Sequence, residues 1–215
     1  WRLTSANTLK TSFHIFYELL SGLTHEERVK FHLNQLKSSD FAYLNGGDNA
    51  GEIAGDNYRK LRERFAEWKS ALATLGVPFS DVLRILSAIL LLGNSVFEDK
   101  NGDDLELNGQ RELDSVAALL GLSGIALYKA LTTRIKIVKG QQVRQKLTAE
   151  KANQGRDALS RTLYYRCICA LIRRINNLKT SNSIKSHGNT SSGVSSSDGE
   201  SSVQDSGTQI SKFFS

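Results

Sequence analysis

The sequence predicts a mainly α-helical protein that carries two short β-hairpins. Apolar residues recur at helical spacing in several segments, as in the series Phe13, Phe16, Tyr17 and Leu20. Residues 81–92 are apolar nearly all round, which predicts a helix that is buried on every side. Two pairs of short segments flank turn dipeptides, and these predict the hairpins.

Helix boundaries follow from capping residues and helix breakers. Thr24 and Glu27 form a capping-box pattern, so a helix is predicted to start there and to run to about Leu36. Gly76 is a natural helix stop, and Pro78, the only proline, suits the start of the next helix. The predicted helices cover residues 11–20, 24–36, 56–75, 81–92, 113–120, 125–131 and 148–179.

The two hairpins are predicted from short segments around turns. Residues 95–98 and 105–107 flank KNGDD, which contains an Asn-Gly turn signal. Residues 134–138 alternate in polarity, Lys139-Gly140 turns the chain, and residues 142–146 return as the partner strand.

Positive charge is concentrated in one part of the chain. The net charge is +6, but residues 134–179 contain 12 basic and 2 acidic residues, whereas residues 1–133 contain 14 basic and 17 acidic ones. Such a block suits an acidic partner, which could be nucleic acid, anionic lipid or an acidic protein surface. A solvated helix face is the alternative interpretation.

Both cysteines lie in the last helix, QGRDALSRTLYYRCICALIRRINNLK at residues 154–179. Cys167 and Cys169 point about 160° apart around a helix axis, so they cannot ligate one ion from an intact helix. We expect both to be packing residues, in a reducing intracellular setting. Apolar side chains spread around most of this helix, which predicts neighbours on several sides.

Other chemical sites find little support in the sequence. There is no G-x-x-x-x-G-K-[S/T] phosphate loop, and the glycines at 46, 47, 51 and 55 are predicted to form a plain loop. His14 is expected to be a core or boundary histidine, and no catalytic residue or metal ligand is predicted. Residues 1–20 lack a secretory signal, and no apolar run is long enough for a membrane span.

The composition changes after Lys179. Residues 180–209 are Ser-rich and nearly free of apolar side chains, which predicts a disordered insert or linker. Ser197, with Glu200 three residues on, is a candidate phosphorylation site for an acid-directed kinase. Residues 210–215 turn apolar again and are interpreted as the start of the next structured segment. The chain starts with Trp1 and contains no methionine, so we expect it to be a piece of a longer protein.

Four segments resemble motifs of the myosin motor domain, in the same order. SFHIFYELLSGL at 12–23 is similar to the FHIFYQLL helix, and YLN at 43–45 resembles the element that follows it. ILLLGNSVF at 89–97 resembles ILHLGN-x-x-F, with Leu91 in place of the usual histidine. RDALSRTLYYRCICALIRRIN at 156–176 resembles the RDALAK-type helix.

The resemblance implies that residues 1–179 form much of the upper 50-kilodalton subdomain of an unconventional myosin head. It implies an actin-dependent ATPase, with ATP and Mg in the complete motor domain, in the cytoplasm and on the cytoskeleton. The family's phosphate loop and switches fall outside this chain, so the fragment alone should bind neither ATP nor Mg and should not be catalytic. Partners are filamentous actin and the rest of the motor domain.

By the same resemblance, the second hairpin corresponds to an actin-contacting loop of the family. The candidate actin-binding residues are Lys136, Lys139, Gln141, Arg144 and Lys146. Nucleic acid is a less suitable partner, because no aromatic residues interleave with these cations.

The resemblance also implies that Gln141 stands at the position where many myosins carry an acidic or phosphorylatable residue. This leaves two hypotheses open: a working motor, or an atypical myosin-like head that binds actin or other partners with weak or no ATPase.

Overall fold

The computed structural model describes residues 14–45, 56–100 and 105–187, with side chains described as far as Leu178. These residues form a mainly α-helical fold with two separate two-stranded antiparallel sheets, as predicted. The helices are α1 (His14–Gly22), α2 (His25–Lys30), α3 (Asp56–Thr74), α4 (Phe79–Gly93), α5 (Gln110–Leu120), α6 (Gly124–Thr132) and α7 (Ala149–His187). The strands are β1 (Val96–Asp99), β2 (Leu105–Asn108), β3 (Thr133–Val138) and β4 (Gln141–Lys146), and Ser38–Asp40 form a short 3-10 helix.

Helix α4 is the centre of the hydrophobic core. Its side chains are buried on all faces from Leu86 onward, which confirms the prediction from its apolar sequence. It packs most extensively against α5 and α7. Leu91, which stands where the resemblance expects histidine, is 1% exposed, so this position is part of the core.

Helices α1 and α3 pack closely because a glycine lies at their crossing. Gly22 ends α1, and a Cβ atom placed on it would lie 2.2 Å from the ring of Phe65 on α3. Phe65 also meets Trp68 and Phe79 edge-on, with ring centroids 5.0 and 5.6 Å away. This aromatic group joins α1 and α3 to the first turn of α4.

Helix α2 is shorter than predicted. Its capping box is present, since Glu27 N–H donates to Thr24 Oγ1 and Thr24 N–H donates to the Glu27 carboxylate. However, α2 ends at Lys30 rather than near Leu36. The Arg28 guanidinium donates to the carbonyls of Leu36 and Leu20, which bends the chain back on itself.

The same bend explains why the helical pattern failed here. His32 and Gln35 adopt positive φ angles of 59° and 63°, which a continuous helix does not allow. The bent conformation places Phe31 and Leu33 in the core, where they are 2% and 0% exposed. Tertiary burial of these two side chains outweighs local helix preference.

Both predicted hairpins are present with antiparallel pairing. Strand β1 pairs with β2 from Val96 opposite Asn108 to Asp99 opposite Leu105. Strand β3 pairs with β4 from Thr133 opposite Lys146 to Val138 opposite Gln141.

Helix α7 is covered on fewer sides than predicted. It packs against α4, β1 and α6, and it buries Leu163 and Cys167. Tyr165, Ile168 and Ile172, in contrast, are 68%, 38% and 50% exposed. Within the described residues, the expectation of neighbours on several sides is therefore wrong for this face.

The end of α7 also differs from the prediction. The helix continues to His187, so residues 180–187 are helical although their composition assigns them to the Ser-rich insert. Ser197, the remaining insert residues and residues 210–215 lie outside the described part of the chain, as do the loop at 46–55 and the turn at 101–104.

The glycine at the α1–α3 crossing leads to a stability prediction. Gly22→Ala should lower the free energy of unfolding by about 1–3 kcal/mol, because the new methyl group overlaps the Phe65 ring. Gly155→Ala in α7 is the matched control: apart from its own helical turns and chain neighbours, no atom lies within 4 Å of the position that its Cβ would take, and alanine should stabilise the helix by about 0.5–1 kcal/mol. Urea denaturation measures both, and equal effects in the two variants would contradict the close crossing.

Candidate functional site: an exposed basic hairpin

The β3–β4 hairpin is exposed, and a hydrogen bond between the described residues at its two ends anchors its base. Strand β3 starts directly after α6, whose last residues Leu131 and Thr132 are buried. Leu147 N–H donates to the Thr132 carbonyl at 2.8 Å, which closes the base of the hairpin. Two residues later, α7 starts with Ala149 N–H donating to Asp99 Oδ1 at 2.9 Å.

The tip of the hairpin is a two-residue turn. Lys139 and Gly140 have φ angles of 50° and 79°, the positive values that type I′ turns require at both central positions. Such turns match the right-handed twist of the strands. Gly140 adopts this conformation without strain, whereas lysine does so rarely.

The hairpin is almost entirely exposed and strongly basic. Every side chain from Arg134 to Lys146 is exposed, and only Thr133 is half-buried. Residues 133–146 contain five cations and no carboxylate, and the whole stretch from 115 to 149 contains no Asp or Glu. The hairpin itself therefore contributes five positive charges and no negative charge.

The register divides the candidate residues between two faces. Residues directly opposite one another share a face, and successive residues alternate. Arg144 and Lys146 therefore lie on one face, whereas Lys136 and Gln141 lie on the other. Lys139 lies in the turn between them. The structure brings all five predicted residues onto one hairpin but not onto one face.

A half-buried polar network between α7 and the loop at residues 41–45 was not predicted from the sequence. Tyr43 Oη donates to Asp157 Oδ1 at 2.6 Å and lies 3.2 Å from Ser160 Oγ. Arg156 contacts the same carboxylate oxygen through Nε at 2.8 Å and Nη2 at 2.7 Å. Its Nη1 donates to the Ser95 carbonyl at 2.8 Å. The network ties α7 to the turn before β1 and to the loop at residues 41–45.

Two asparagines add similar connections between backbone segments. Asn153 on α7 accepts from Phe97 N–H and donates to the Phe97 carbonyl, at 3.0 and 2.8 Å. Asn94 accepts from Ala42 N–H and donates to the Asp40 carbonyl, at 2.9 and 2.7 Å. Side chains of the YLN, LGN-x-x-F and RDAL segments thus bond to one another or to nearby backbone. In the sequence, these polar residues stand beside apolar helical segments, and that position is the signal that could have identified them.

Burial shifts the pKa values of two groups in this region. Loss of water, and then the hydrogen bond to Asp157, raise the pKa of Tyr43 to about 12. Burial raises the pKa of Cys167 to about 11, so this thiol is poorly suited to act as a nucleophile or a metal ligand at neutral pH. Cys167 is buried and Cys169 is half-buried, as free thiols.

Histidines and acidic residues do not form a metal site in the described part of the chain. No three His, Cys, Asp or Glu side chains lie close enough there to hold an ion. His14 is exposed at the start of α1, so its prediction as a core or boundary histidine is wrong. No single helix among the described residues is long and apolar enough to cross a membrane. The helices α5 and α6 meet that criterion only together, and they are bent by 112° at their junction.

Comparison with known proteins gives one consistent family. The family model "Myosin head (motor domain)" matches residues 2–194. The chain is 36% identical to human unconventional myosin-XV over 176 residues, which is 78% of this chain and 5% of that protein. It is 32% identical to myosin-B/C of Toxoplasma gondii over 82% of this chain, and 30% identical to unconventional myosin-Ic of the rat over 81%.

The mainly helical core, the two antiparallel hairpins and these four motifs define a motor-domain protein. The chain belongs to the myosin head (motor domain) family, which confirms the resemblance seen in the sequence. The chain spans 5–17% of the length of these three relatives, since it covers 16% of the Toxoplasma protein and 17% of the rat protein.

The half-buried Tyr43 leads to a prediction about alkaline stability. Because the pKa of Tyr43 is raised from 10.0 to about 12, an unfolded chain loses this proton first. The stabilisation by neutral Tyr43 is therefore complete below about pH 10 and is lost as the pH rises towards 12, by about 2 kcal/mol in all. Tyr43→Phe should cost about 1–3 kcal/mol at pH 8, because Asp157 loses a half-buried hydrogen-bond donor.

Denaturant titrations between pH 8 and pH 12 test this expectation. The Tyr43→Phe variant should lose less stability over that range than the unmodified chain. Exposed Tyr58, which donates to the Ser21 carbonyl, provides Tyr58→Phe as the control. The same pH dependence in the Tyr43→Phe variant and in the unmodified chain would rule out the proposed role of Tyr43.

Proposed function

We propose that this chain is the actin-contacting part of an ATP-driven cytoskeletal motor head. Membership of the myosin head family supports the motor assignment. The observation that carries the actin assignment is the β3–β4 hairpin: an exposed projection with five cations and no acid. An acidic filament surface is the complementary partner for it.

The candidate contact residues are those singled out from the sequence. Arg144 can pair with a carboxylate through two parallel hydrogen bonds, whereas Lys136, Lys139 and Lys146 act as point charges. Gln141 can contribute a neutral hydrogen bond only. Cations on both faces and at the tip favour rapid, electrostatically steered encounter with the filament.

ATP and Mg would be bound by parts of the head outside this chain. Nucleotide phosphates need a glycine-rich loop with a lysine, and Mg²⁺ needs oxygen ligands beside it. The sequence contains no such loop, and the described residues bring no acidic cluster together. The residues of this chain therefore do not fit the nucleotide site. The protein would act in the cytoplasm, on the cytoskeleton.

A charge-removal experiment in the complete head tests actin binding by the hairpin. Lys136→Gln with Arg144→Gln should weaken co-sedimentation with filamentous actin about tenfold and flatten its salt dependence, because long-range attraction is lost. Lys60→Gln with Arg62→Gln on exposed positions of α3 is the matched control and should leave binding unchanged. Equal loss in both double variants would show a general charge effect and contradict a contact at the hairpin.

Gln141 supports a second candidate function: a head that binds actin but is weakly activated by it. Gln141 is exposed and lies on the same face as Lys136, diagonally across the ladder. Residues 139–146 contain no Asp, Glu, Ser or Thr, so the hairpin tip can neither carry nor acquire a negative charge by phosphorylation of these residue types. Such a head would act as an actin-binding or scaffold protein.

The test is steady-state ATPase activity of the complete head, with and without filamentous actin. Gln141→Glu should raise the actin-activated rate several-fold, since it supplies the missing anion beside Lys136. Gln142→Glu, one residue away on the opposite face, is the control and should have a smaller effect. Strong activation of the unmodified head, with no gain from Gln141→Glu, would favour the working motor and contradict weak activation.

A further inference from the structure

Helix α7 keeps one face exposed, and that face combines arginines with large side chains. Tyr165 and Ile172 are 68% and 50% exposed, and Arg166 and Arg173 are exposed beside them. At about 100° per residue, these four side chains fall within about 120° of the helix surface. We call them the arginine–tyrosine face. Tyrosine and arginine are enriched at protein contacts, so this face has the composition of a docking surface.

The charges in and beyond this part of α7 are separated along the chain. Residues 158–197 contain six Lys or Arg residues and no Asp or Glu. Residues 198–211 contain Asp198, Glu200 and Asp205 and no Lys or Arg. The first carboxylates that follow the arginine–tyrosine face in the sequence are therefore these three, and no cation lies among them to neutralise them.

The chain is long enough to bring these acids back to the face. Helix α7 is described to His187, and Arg173 lies 14 residues earlier, about 21 Å along the helix axis. Asp198 is 11 residues beyond His187, and a chain of that length spans up to about 36 Å. A short tether of this kind gives an effective concentration in the millimolar range, so even weak charge pairs hold the tethered segment in place.

We propose that the acidic segment SSSDGESSVQD, residues 195–205, docks on the arginine–tyrosine face of α7. Asp198 and Glu200 are two residues apart, so in an extended segment they point to the same side, about 7 Å from each other. Arg166 and Arg173 are about 10 Å apart along the helix and nearly in line. Each guanidinium can take one carboxylate through two parallel hydrogen bonds. The docked segment covers Tyr165 and Ile172, which lie beside the two arginines.

The acidic segment also carries sites at which its charge can be raised. Ser195, Ser197 and Ser202 each have an acidic residue three positions on, the pattern that acid-directed kinases recognise. A phosphate group adds up to about two negative charges and three acceptor oxygens, and arginine pairs with it well. Phosphorylation of the segment therefore strengthens its contact with α7. This contact does not depend on actin binding by the β3–β4 hairpin.

Hydroxyl-radical footprinting of the complete head measures whether Tyr165 is covered. The oxidation rate of a side chain follows its access to solvent, and mass spectrometry reads it residue by residue. In the unmodified head, Tyr165 should be oxidised about threefold more slowly than in Asp198→Asn with Glu200→Gln, because the neutral side chains lose the pairs with arginine. Glu63→Gln with Glu67→Gln on exposed positions of α3 is the matched control and should leave the rate at Tyr165 unchanged.

A charge exchange tests the pairing itself. Arg166→Glu with Arg173→Glu should remove the protection of Tyr165, and adding Asp198→Lys with Glu200→Lys to that variant should restore it. The protection in the unmodified head should fall as salt is raised, because the pairs are exposed at the surface.

Four results would overturn the proposal. Equal oxidation of Tyr165 in the unmodified head and in the Asp198→Asn/Glu200→Gln variant would show that the acidic segment does not cover it. No restored protection in the folded charge-exchange variant would rule out pairing with the two arginines. Protection that rises with protein concentration would assign the face to a second copy of the chain. Faster oxidation of Tyr165 after phosphorylation of Ser197 would contradict the charge complementarity.

Discussion

The need to enclose helix α4 organises the rest of this fold. A helix that is apolar on every face must be covered on every face, and no single neighbouring element can do so. Helices α5 and α7 supply most of this cover, and α3 adds a contact of its own. Because α7 follows the β3–β4 hairpin directly, the packing of α7 onto α4 also fixes where that hairpin leaves the core.

Polar side chains set the register of this enclosure. Apolar packing tolerates small shifts of a helix along its axis. A side chain that hydrogen-bonds to a specific backbone group does not tolerate them. The Asn153 side chain hydrogen-bonds to both the amide and the carbonyl of Phe97, and the Arg156 guanidinium donates to the Ser95 carbonyl. A one-residue slip of α7 would leave these groups buried without partners, at a cost of about 1–3 kcal/mol each. Asn153 and Arg156 therefore have a structural role in fixing the position of α7.

Much of the fold could be predicted from the sequence because it depends on local periodicity. The buried α4, both hairpins and the Thr24 capping box all follow from short patterns. The end of α2 could not be predicted, since it depends on Arg28 reaching carbonyls at Leu20 and Leu36. The burial of α7 could not be fully predicted either. A helical wheel shows which faces of α7 are apolar, but it does not show which of these faces other parts of the chain cover.

The candidate site, like the fold, could be predicted from the sequence only in part. Charge and resemblance predict the basic hairpin and its five polar candidates. Their separation onto two faces follows only from the pairing register, which places Gln141 rather than Gln142 opposite Val138. Ile135 and Ile137 fit the alternating pattern of a β-strand. That pattern does not indicate that both faces of the strand are exposed to solvent, as they are in the structure.

The attachment of the hairpin has a mechanical consequence. Its two strands are joined at Lys139-Gly140, so tension applied at the tip runs down both strands in parallel and places little shear on the ladder between them. The load reaches the body of the protein where the strands separate, at the Thr132–Leu147 hydrogen bond and at the first turn of α7, which is fastened to Asp99. Under force, the joint at the base of the hairpin would yield before its strands slide apart, and the last turn of α6 and the first turn of α7 would share the strain.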